Sequence, residues 1–424
     1  MKILVIGGGG REHAVIKSLK KNPAVEKIYA LPGNGGIAQD AECYPVKATD
    51  IEGIVAFVKA HPVDFAVVTP DDPLVLGCVD RLEALGVPCF GPRANAAIIE
   101  GSKVFSKTLM QKYGIPTADS HTFDSAEEAL VFLKTGDYPT VIKADGLALG
   151  KGAVIVNSFE EAQKTVREMM VDKIFGESGS RILVEEFLTG PEVSVLSFTD
   201  GNVVVPMVSS MDHKRAHDND EGLNTGGMGT IAPNPYYTPE IAAECMEKIF
   251  LPTIRAMNAE GRTFKGCLYF GLMLTPKGPK VIEYNCRFGD PETQVVLPLL
   301  ESDLLSIMQA VRAGTLSQQE VRFSNGAACC VVLASDGYPQ KYQTGYEITL
   351  PQTQKGEHIF VAGARQEGGK LLTAGGRVLG AVATASDLKT AVKRAYALAD
   401  KIHFENAYAR RDIGARALKA LGEE

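Results

Sequence analysis

Residues 281–292 are more informative than any other stretch of this chain, and they read Val281-Ile-Glu-Tyr-Asn-Cys-Arg-Phe-Gly-Asp-Pro-Glu292. Its first four residues have the apolar, partly β-branched composition of a strand. Because side chains alternate between the two faces of a strand, Glu283, Asn285 and Arg287 are expected to point the same way.

These three polar side chains suit a divalent cation next to a phosphoryl group. Oxygen atoms of carboxylates and carboxamides bind Mg²⁺, and the arginine fork binds phosphate oxygens. Burying such charges without partners would be costly, which argues against a purely structural face. The alternative is a surface strand whose polar side chains are solvated.

The whole chain has 424 residues, a net charge of −7 and eight scattered cysteines. This length predicts about two to four domains. The acidic balance argues against a nucleic-acid partner, and no apolar run reaches the length of a membrane span. The cysteines show no metal-ligand spacing. We therefore expect a cytoplasmic protein with small-molecule partners, acting as a monomer or a weak dimer.

The first hundred residues alternate strands and helices, which predicts a parallel sheet with ligands beyond the carboxyl ends of its strands. The expected strands cover 3–6, 28–31, 65–69 and 87–90, and the expected helices cover 11–20, 50–60 and 73–85. The turns at these strand ends are Gly7–Arg11, Pro32–Gly36 and Thr69–Pro73.

The first of these turns is not a dinucleotide fingerprint, because Glu12 or His13 stands where its third glycine is needed. A glycine turn before a helix can still hold a single phosphate, and Arg11 would add positive charge. A plain tight turn is the alternative.

The rest of the chain predicts one long helix over 94–113 and three further units. The first unit has strands near 140–144, 153–156 and 181–187 and helices near 125–135 and 158–170. The second has strands near 193–199, 202–209, 267–275 and 280–285 and helices near 239–259 and 292–313. The third has strands near 328–333 and 376–384 and a helix near 386–402.

Two motifs in the first of these units suit a nucleotide. Lys143 precedes a glycine-containing loop whose backbone N–H groups could wrap phosphates, although a flexible hairpin is the alternative. Glu185–Leu188 ends the next strand and could contact a purine, and Glu192 could accept hydrogen bonds from a ribose. Lys151 is expected to be a solvated loop residue.

A long polar connection over 212–229 has no apolar periodicity, and such connections are often functional. His213 and His217 lie in it, but the usual third metal ligand is missing, so both are expected to be supporting residues. The sequence also lacks a nucleophile signature.

Three longer motifs are Lys-Ala-Asp-Gly-Leu-Ala-Leu-Gly-Lys-Gly at 143–152, Asn-Thr-Gly-Gly-Met-Gly at 224–229 and Arg-Phe-Gly-Asp-Pro-Glu at 287–292. These motifs resemble the phosphoribosylamine–glycine ligase family, also called the glycinamide ribonucleotide synthetase family, within the ATP-grasp superfamily. Shorter matches are Gly-Gly-Arg-Glu-His-Ala at 9–14, Pro-Gly-Asn-Gly-Gly at 32–36 and Arg-Asp-Ile-Gly at 411–414. The resemblance covers essentially the whole chain.

The resemblance implies a multidomain protein of the α/β and α+β classes. Its parts would be a Rossmann-like N-terminal domain with a parallel sheet over 1–102, an ATP-grasp domain over 103–325 with a lid over about 123–190, and a small α+β C-terminal domain over 326–424. The implied activity, part of de novo purine biosynthesis, joins glycine to 5-phosphoribosylamine through glycyl phosphate, with ATP consumed.

The resemblance also implies roles for particular residues. Mg²⁺ or Mn²⁺ would bind Glu283 and Asn285. ATP would contact Lys103, Lys143, Gly150, Glu185, Glu186, Phe187, Leu188 and Glu192. The residues implied in catalysis are Arg287, Lys143, Asp212 and Lys214. Substrate contacts are implied for Gly9, Arg11, Asn34, Asp71, Thr225, Gly226, Arg287 and Asp290.

Two departures from the family pattern leave points open. Thr69-Pro-Asp-Asp-Pro73 replaces a turn that in the family usually reads Gly-Pro-Glu-x-Pro, so that Asp71 keeps the acid on a side chain shorter by one methylene. The strand at 266–275 carries no acid, which predicts light metal ligation by the protein. The alternative functions are another ATP-grasp ligase or carboxylase and a catalytically silent nucleotide-binding module.

Overall fold

The N-terminal region forms a five-stranded parallel sheet in this computed structural model, which describes residues 1–147 and 152–423. The strand order is β3-β2-β1-β4-β5. Its strands are β1 Lys2–Gly7, β2 Lys27–Pro32, β3 Glu42–Cys43, β4 Phe65–Val68 and β5 Cys89–Phe90. Residues 3–6 are fully buried, as expected for a parallel strand covered on both faces. The predicted parallel sheet is therefore confirmed.

Six helices accompany this sheet within the described residues. They are α1 Gly10–Leu19, α2 Ile51–Ala60, α3 Asp71–Val75, α4 Cys78–Ala84, α5 Ala94–Gly101 and α6 Lys103–Tyr113. The single helix predicted over 94–113 is wrong, because the chain breaks at Ser102, whose backbone is extended (φ −139°, ψ 116°). The Ser102 side chain accepts a hydrogen bond from Phe105 N–H and thereby caps α6.

A small second sheet has the antiparallel order β6-β9-β7-β8. It consists of β6 Ser120–Phe123, β7 Thr140–Ala144, β8 Ala153–Val156 and β9 Ile182–Glu186, with helices α7 Ala126–Lys134 and α8 Phe159–Val166. Its core is separate from the other cores of the molecule and includes Leu133, Ile142 and Val166. A unit with a separate core can move without exposing the apolar cores of the neighbouring parts to water.

The central sheet is antiparallel, with the order β11-β10-β16-β17. Its strands are β10 Glu192–Thr199, β11 Val204–Pro206, β16 Gly266–Thr275 and β17 Gly278–Asn285. The helices nearby are α9 Pro239–Cys245, α10 Leu251–Ala259, α11 Thr293–Leu299 and α12 Leu304–Ala313. The helix predicted over 292–313 is therefore two helices, and Asp303 caps the second through Ser306 N–H.

The C-terminal sheet has the order β12-β15-β18-β22-β19, with β23 beside β18. These strands are β12 Met211–Asp212, β15 Gly229–Ala232, β18 Ala327–Ser335, β19 Glu357–Val361, β22 Arg377–Ala385 and β23 Ala407–Tyr408. Two hairpins accompany this sheet, β13 Arg215–His217 with β14 Glu221–Asn224 and β20 Ala364–Glu367 with β21 Lys370–Thr373. The helices of this part are α13 Leu388–Ala399 and α14 Ala415–Leu421.

This sheet crosses the expected division of the chain near residue 325. β15 precedes that position in the sequence, yet it pairs antiparallel with β18. The connection 211–232 thus packs with the C-terminal sheet, which places its polar residues between the central and C-terminal parts. Among the described helices, none is long and apolar enough to cross a membrane.

Candidate active site

The strand β17 carries the polar face from which the sequence analysis began. It pairs antiparallel with β16, and the pairing sets Glu283 opposite Gly271 and Asn285 opposite Tyr269. A Cβ atom at Gly271 would lie 3.0 Å from Glu283 Cγ, so the glycine leaves room for the carboxylate. Arg287 follows the strand, and its Nη2 lies 3.4 Å from Asn285 Oδ1. The predicted triplet therefore does form one polar surface.

Positive charges surround Glu283. Burial alone would raise the pKa of this carboxyl, but Lys214, Lys143 and Lys103 outweigh burial and hold the pKa below its usual value. Burial lowers the pKa of the Lys103 ammonium in turn. An ionised carboxylate beside several cations is suited to phosphates and a divalent ion.

The two lysines expected at the phosphates reach this site from different elements. Lys103, at the start of α6, donates to Gly146 O at 2.6 Å. Lys143, on β7, donates to Ile282 O on β17 at 3.1 Å. The small sheet and the central sheet thus meet at these side chains. Gly150 and Lys151, which the sequence analysis placed in the same loop, lie outside the described residues.

Glu185 holds a buried lysine pair. Its Oε2 lies 2.8 Å from Lys143 Nζ, and its Oε1 lies 3.3 Å from Lys107 Nζ. Because both carboxylate oxygens face lysines, the carboxylate contributes to lysine placement. Lys107 is one helical turn after Lys103, so its position on the same face could have been recognised from the sequence.

The strand end that follows Glu185 borders the same cleft. Glu186 pairs with Lys280 on β17 at 2.9 Å. Phe187 and Leu188 are half-buried. Glu192 Oε2 lies 2.9 Å from Lys214 Nζ, and both side chains are well exposed at 48% and 39%. An exposed pair of this kind contributes little and can separate when a ligand binds.

Arg287 is fixed by acids of the N-terminal region. Its Nη2 lies 3.0 Å from Glu100 Oε1 on α5 and 3.8 Å from Asp71 Oδ2 on α3. The second carboxylate oxygen of Glu100 accepts a hydrogen bond from Cys286 N–H at 2.7 Å. Burial raises the pKa of Glu100. No sequence motif marked Glu100, because its importance comes from a contact 187 positions away in the chain.

An open cavity of about 600 Å³ lies beyond the carboxyl ends of β1 and β2. Its lining includes the glycine turn 7–9, Arg11, Lys47, Asp290 and Arg377. Arg11 Nη1 donates to Phe288 O at 2.8 Å, which links the glycine turn to the motif after β17. The cavity therefore lies between the first turn of the N-terminal sheet and the motif that follows β17.

The carboxamide of Asn34 makes hydrogen bonds within the protein that hold this turn. Its Nδ2 donates to Gly8 O at 3.0 Å and to Val361 O at 2.8 Å. Its Oδ1 accepts hydrogen bonds from the N–H groups of Gly36 and Ile37. These bonds occupy the donors and the acceptor of the carboxamide. A direct contact of Asn34 with a substrate stays a prediction.

The connection 212–229 borders the cavity through Arg377, which sequence analysis did not identify. Arg377 Nη1 donates to Gly226 O at 2.7 Å and to Asp290 O at 2.8 Å. Thr225 Oγ1 donates to Lys214 O at 2.8 Å. The residues predicted on this connection thus lie beside those predicted at 287–290.

Asp212 lies near the carboxylate of Glu292 and the cationic side chains of Lys214 and Arg377. Burial and the nearby carboxylate of Glu292 raise its pKa well above the usual value. A Cβ atom at Gly227, whose φ is +111°, would lie only 2.6 Å from Asp212 Oδ1. A side chain at position 227 would therefore displace this carboxyl group.

Comparison with known proteins gives the same family along the whole chain. Family models described as phosphoribosylglycinamide synthetase match as N domain over residues 1–100, as ATP-grasp (A) domain over 101–293 and as C domain over 328–416. A phosphoribosylamine–glycine ligase from Caldanaerobacter subterraneus subsp. tengcongensis is 48% identical, with 98% of this chain and 100% of that protein covered. The corresponding protein of Clostridium acetobutylicum is 46% identical, with 98% and 99% covered.

Solved structures agree with this similarity. The crystal structure of phosphoribosylamine–glycine ligase from Thermotoga maritima has a TM-score of 0.88 at 36% identity and covers 97% of this chain and 100% of that chain. The biotin carboxylase domain of a Hydrogenobacter thermophilus carboxylase, in complex with MgADP, ADP and bicarbonate, has a TM-score of 0.75 at 19% identity, with 96% and 91% covered. At that identity the likeness concerns the fold alone.

Proposed function

The chain belongs to the phosphoribosylglycinamide synthetase family, and on that premise we propose that it ligates glycine to 5-phosphoribosylamine with ATP. The products are glycinamide ribonucleotide, ADP and phosphate. The observation that carries this proposal is the match of three family models, in order, between residues 1 and 416.

The first step activates glycine. A carboxylate oxygen of glycine attacks the γ-phosphorus of ATP, the bond to the β-phosphate oxygen breaks, and ADP leaves with the electron pair. Lys103 and Lys143 lie at Glu283, where they supply positive charge to the phosphates. Arg287 is fixed from behind by Glu100, so its fork is preorganised for the phosphoryl group in transfer. Such a reaction depends on positioning and charge and requires no protein nucleophile.

Glu283 and Asn285 fit a magnesium ion. The ionised carboxylate and the carboxamide oxygen are hard donors, and Mg²⁺ commonly takes one or two protein ligands together with substrate phosphates. Across residues 1–147 and 152–423, no group of three or more His, Cys, Asp and Glu side chains could hold a metal. When bound, the ion would neutralise charge on the β- and γ-phosphates. Mn²⁺ is the alternative ion.

The second step forms the amide. The amine of phosphoribosylamine attacks the carbonyl carbon of glycyl phosphate, the carbon–oxygen bond to phosphate breaks, and the nitrogen loses a proton. We place phosphoribosylamine in the cavity lined by Gly9, Arg11 and Asp290, with Asp71 at its edge beside Arg287. We propose that glycine binds near Asp212, Lys214, Thr225 and Gly226, because Lys214 lies near Glu283 and Gly226 is held by Arg377 at the cavity.

Closure over the intermediate is part of the proposal. An acyl phosphate reacts readily with water, so a lid that excludes water protects it. The small sheet β6-β9-β7-β8 has its own core and meets β17 through Lys143, which suits this role. Adenine would then lie at Glu186–Leu188, between the small and central sheets, and Glu192 would face the ribose.

The test is phosphate release with single omissions. Phosphoribosylamine is formed in the assay from ribose 5-phosphate and ammonia, and glycine, ATP or Mg²⁺ is left out in turn. We expect full release only with every component present. Turnover with another amino acid and none with glycine would refute the proposal. Sedimentation velocity distinguishes the expected monomer from the weak dimer that is its alternative.

A further inference from the structure

The C-terminal segment 408–414 is built against the hairpin β13–β14. Arg410 is a charged side chain that is only 1% exposed. Its guanidinium donates two bonds of 2.8 Å to the carboxylate oxygens of Asp412 and further bonds to Asp220 Oδ1 at 3.0 Å and Arg215 O at 3.1 Å. A buried arginine with this many partners indicates a specific structural demand at this place.

The hairpin tip is held in an unusual backbone conformation. Asn219 and Asp220 have φ values of +59° and +54°, a region that residues other than glycine seldom adopt. Asn219 N–H donates to Asp412 Oδ2 at 2.9 Å. Asp218 Oδ1 accepts a hydrogen bond from Arg411 N–H at 2.7 Å. The tip is thus fixed by the C-terminal segment.

His213 links the C-terminal segment 408–414 to the candidate site residues beside it. Its Nδ1–H donates to Gly229 O at 3.1 Å, and its Nε2 accepts a hydrogen bond from Gly414 N–H at 3.2 Å. Burial and the neighbouring Arg410 lower the pKa of His213 to about 4, which keeps the ring neutral and its two nitrogens in these roles. On either side of this fixed residue stand Asp212 and Lys214.

The two ends of the hairpin are also joined. Both the N–H and the Oγ1 of Thr225 donate to Lys214 O at 2.8 Å. Gly226 N–H donates to the hydroxyl of Tyr338, and Arg377 holds Gly226 O. Tyr338 and Arg377, like Arg410, come from the C-terminal part of the chain.

We propose that Arg410, Asp412 and the Gly414 amide form a positioning element that sets the place of Asp212 and Lys214 through His213. The proposal rests on the proposed function, because it treats these two side chains as part of the ligation site. Met211, Ala216 and Met228 of this connection are buried, and the hydrogen bonds of His213 fix the one residue that stands between Asp212 and Lys214. Small misplacements of reacting groups are costly to rate.

The test compares the same substitution at two adjacent arginines. Arg410→Lys keeps the charge but loses the paired bonds to Asp412, whereas Arg411→Lys alters a side chain that is 63% exposed and pairs only with Asp400. We expect kcat/KM for glycine to fall about 10- to 100-fold in Arg410→Lys and less than about twofold in Arg411→Lys. ADP binding by calorimetry should change less than about threefold in both.

Hydrogen–deuterium exchange of residues 211–229 separates this inference from the proposed function. Faster exchange in Arg410→Lys than in Arg411→Lys supports the positioning role. The absence of glycine-dependent turnover in the wild type would refute the proposed function and would leave that support intact. If Arg410→Lys does not fold, Asp412→Asn replaces it, because this change exchanges one of the two carboxylate oxygens that accept hydrogen bonds from Arg410 for an amide nitrogen, which cannot accept. A folded variant with wild-type exchange, kcat and KM overturns the inference. A loss of ADP binding as large as the loss of kcat/KM for glycine also overturns it.

Discussion

Glu283→Gln tests the central charge of the site with almost no change in shape. The carboxylate stands among Lys214, Lys143 and Lys103, which keep its pKa low despite burial. A carboxyl group with a lowered pKa stabilises the folded protein above its unfolded pKa, so the neutral variant loses this contribution at neutral pH. Since the glutamine keeps volume and packing, we expect a stability loss of only about 1–2 kcal/mol.

The effect on turnover should be much larger than the effect on stability. Removing one preorganised electrostatic partner from a transition state commonly costs about 10²- to 10³-fold in kcat, equivalent to about 3–4 kcal/mol. We expect that loss in phosphate release, together with a rise of at least about tenfold in the Mg²⁺ concentration needed for half-maximal rate.

The assay is phosphate release against Mg²⁺ concentration, paired with thermal melting. Glu244→Gln is the matched control, because Glu244 is a surface residue of α9 that pairs with Lys248 at 2.8 Å. The control should retain wild-type turnover. An unchanged Mg²⁺ dependence in Glu283→Gln, or a melting temperature lowered by more than about 10 °C, would show that the carboxylate is structural and would refute the reasoning.

Three further changes test other contacts. Glu100→Gln should lower kcat about 10-fold or more with little change in KM for ATP, because Arg287 loses its closest anion, and an unchanged kcat would contradict this. Lys107→Met should raise KM for ATP several-fold, because Glu185 then forms an ion pair with Lys143 alone instead of with both lysines. Nucleotide titration measures this change. Stability should fall as pH drops from about 6.5 toward 4, because the unfolded chain protonates His213 more readily than the folded one does. This histidine contributes about 3 kcal/mol of that loss, and urea midpoints equal at pH 7 and pH 5 would argue against it.

Part of the site could be predicted because its signals are local. Glu283, Asn285 and Arg287 alternate along one extended stretch, so their common face follows from strand geometry. The parallel N-terminal sheet followed from alternating apolar runs. The break between α5 and α6 could not be predicted in this way. Ser102 ends one helix and caps the next, and its hydroxyl also donates to Asp145. The position of the break therefore depends on a residue 43 positions away.

The motifs alone are enough to name most chemical groups of the candidate site and their order along the chain. Which of those groups meet depends on how distant elements pack: Glu100 lies behind Arg287, Lys107 beside Glu185, and Arg410 beneath the connection that carries Asp212 and Lys214. The difference comes from the range over which each interaction acts. Alternation, capping and turn formation act within a few residues, whereas ion pairs and buried hydrogen bonds join atoms that come together only when separate sheets pack.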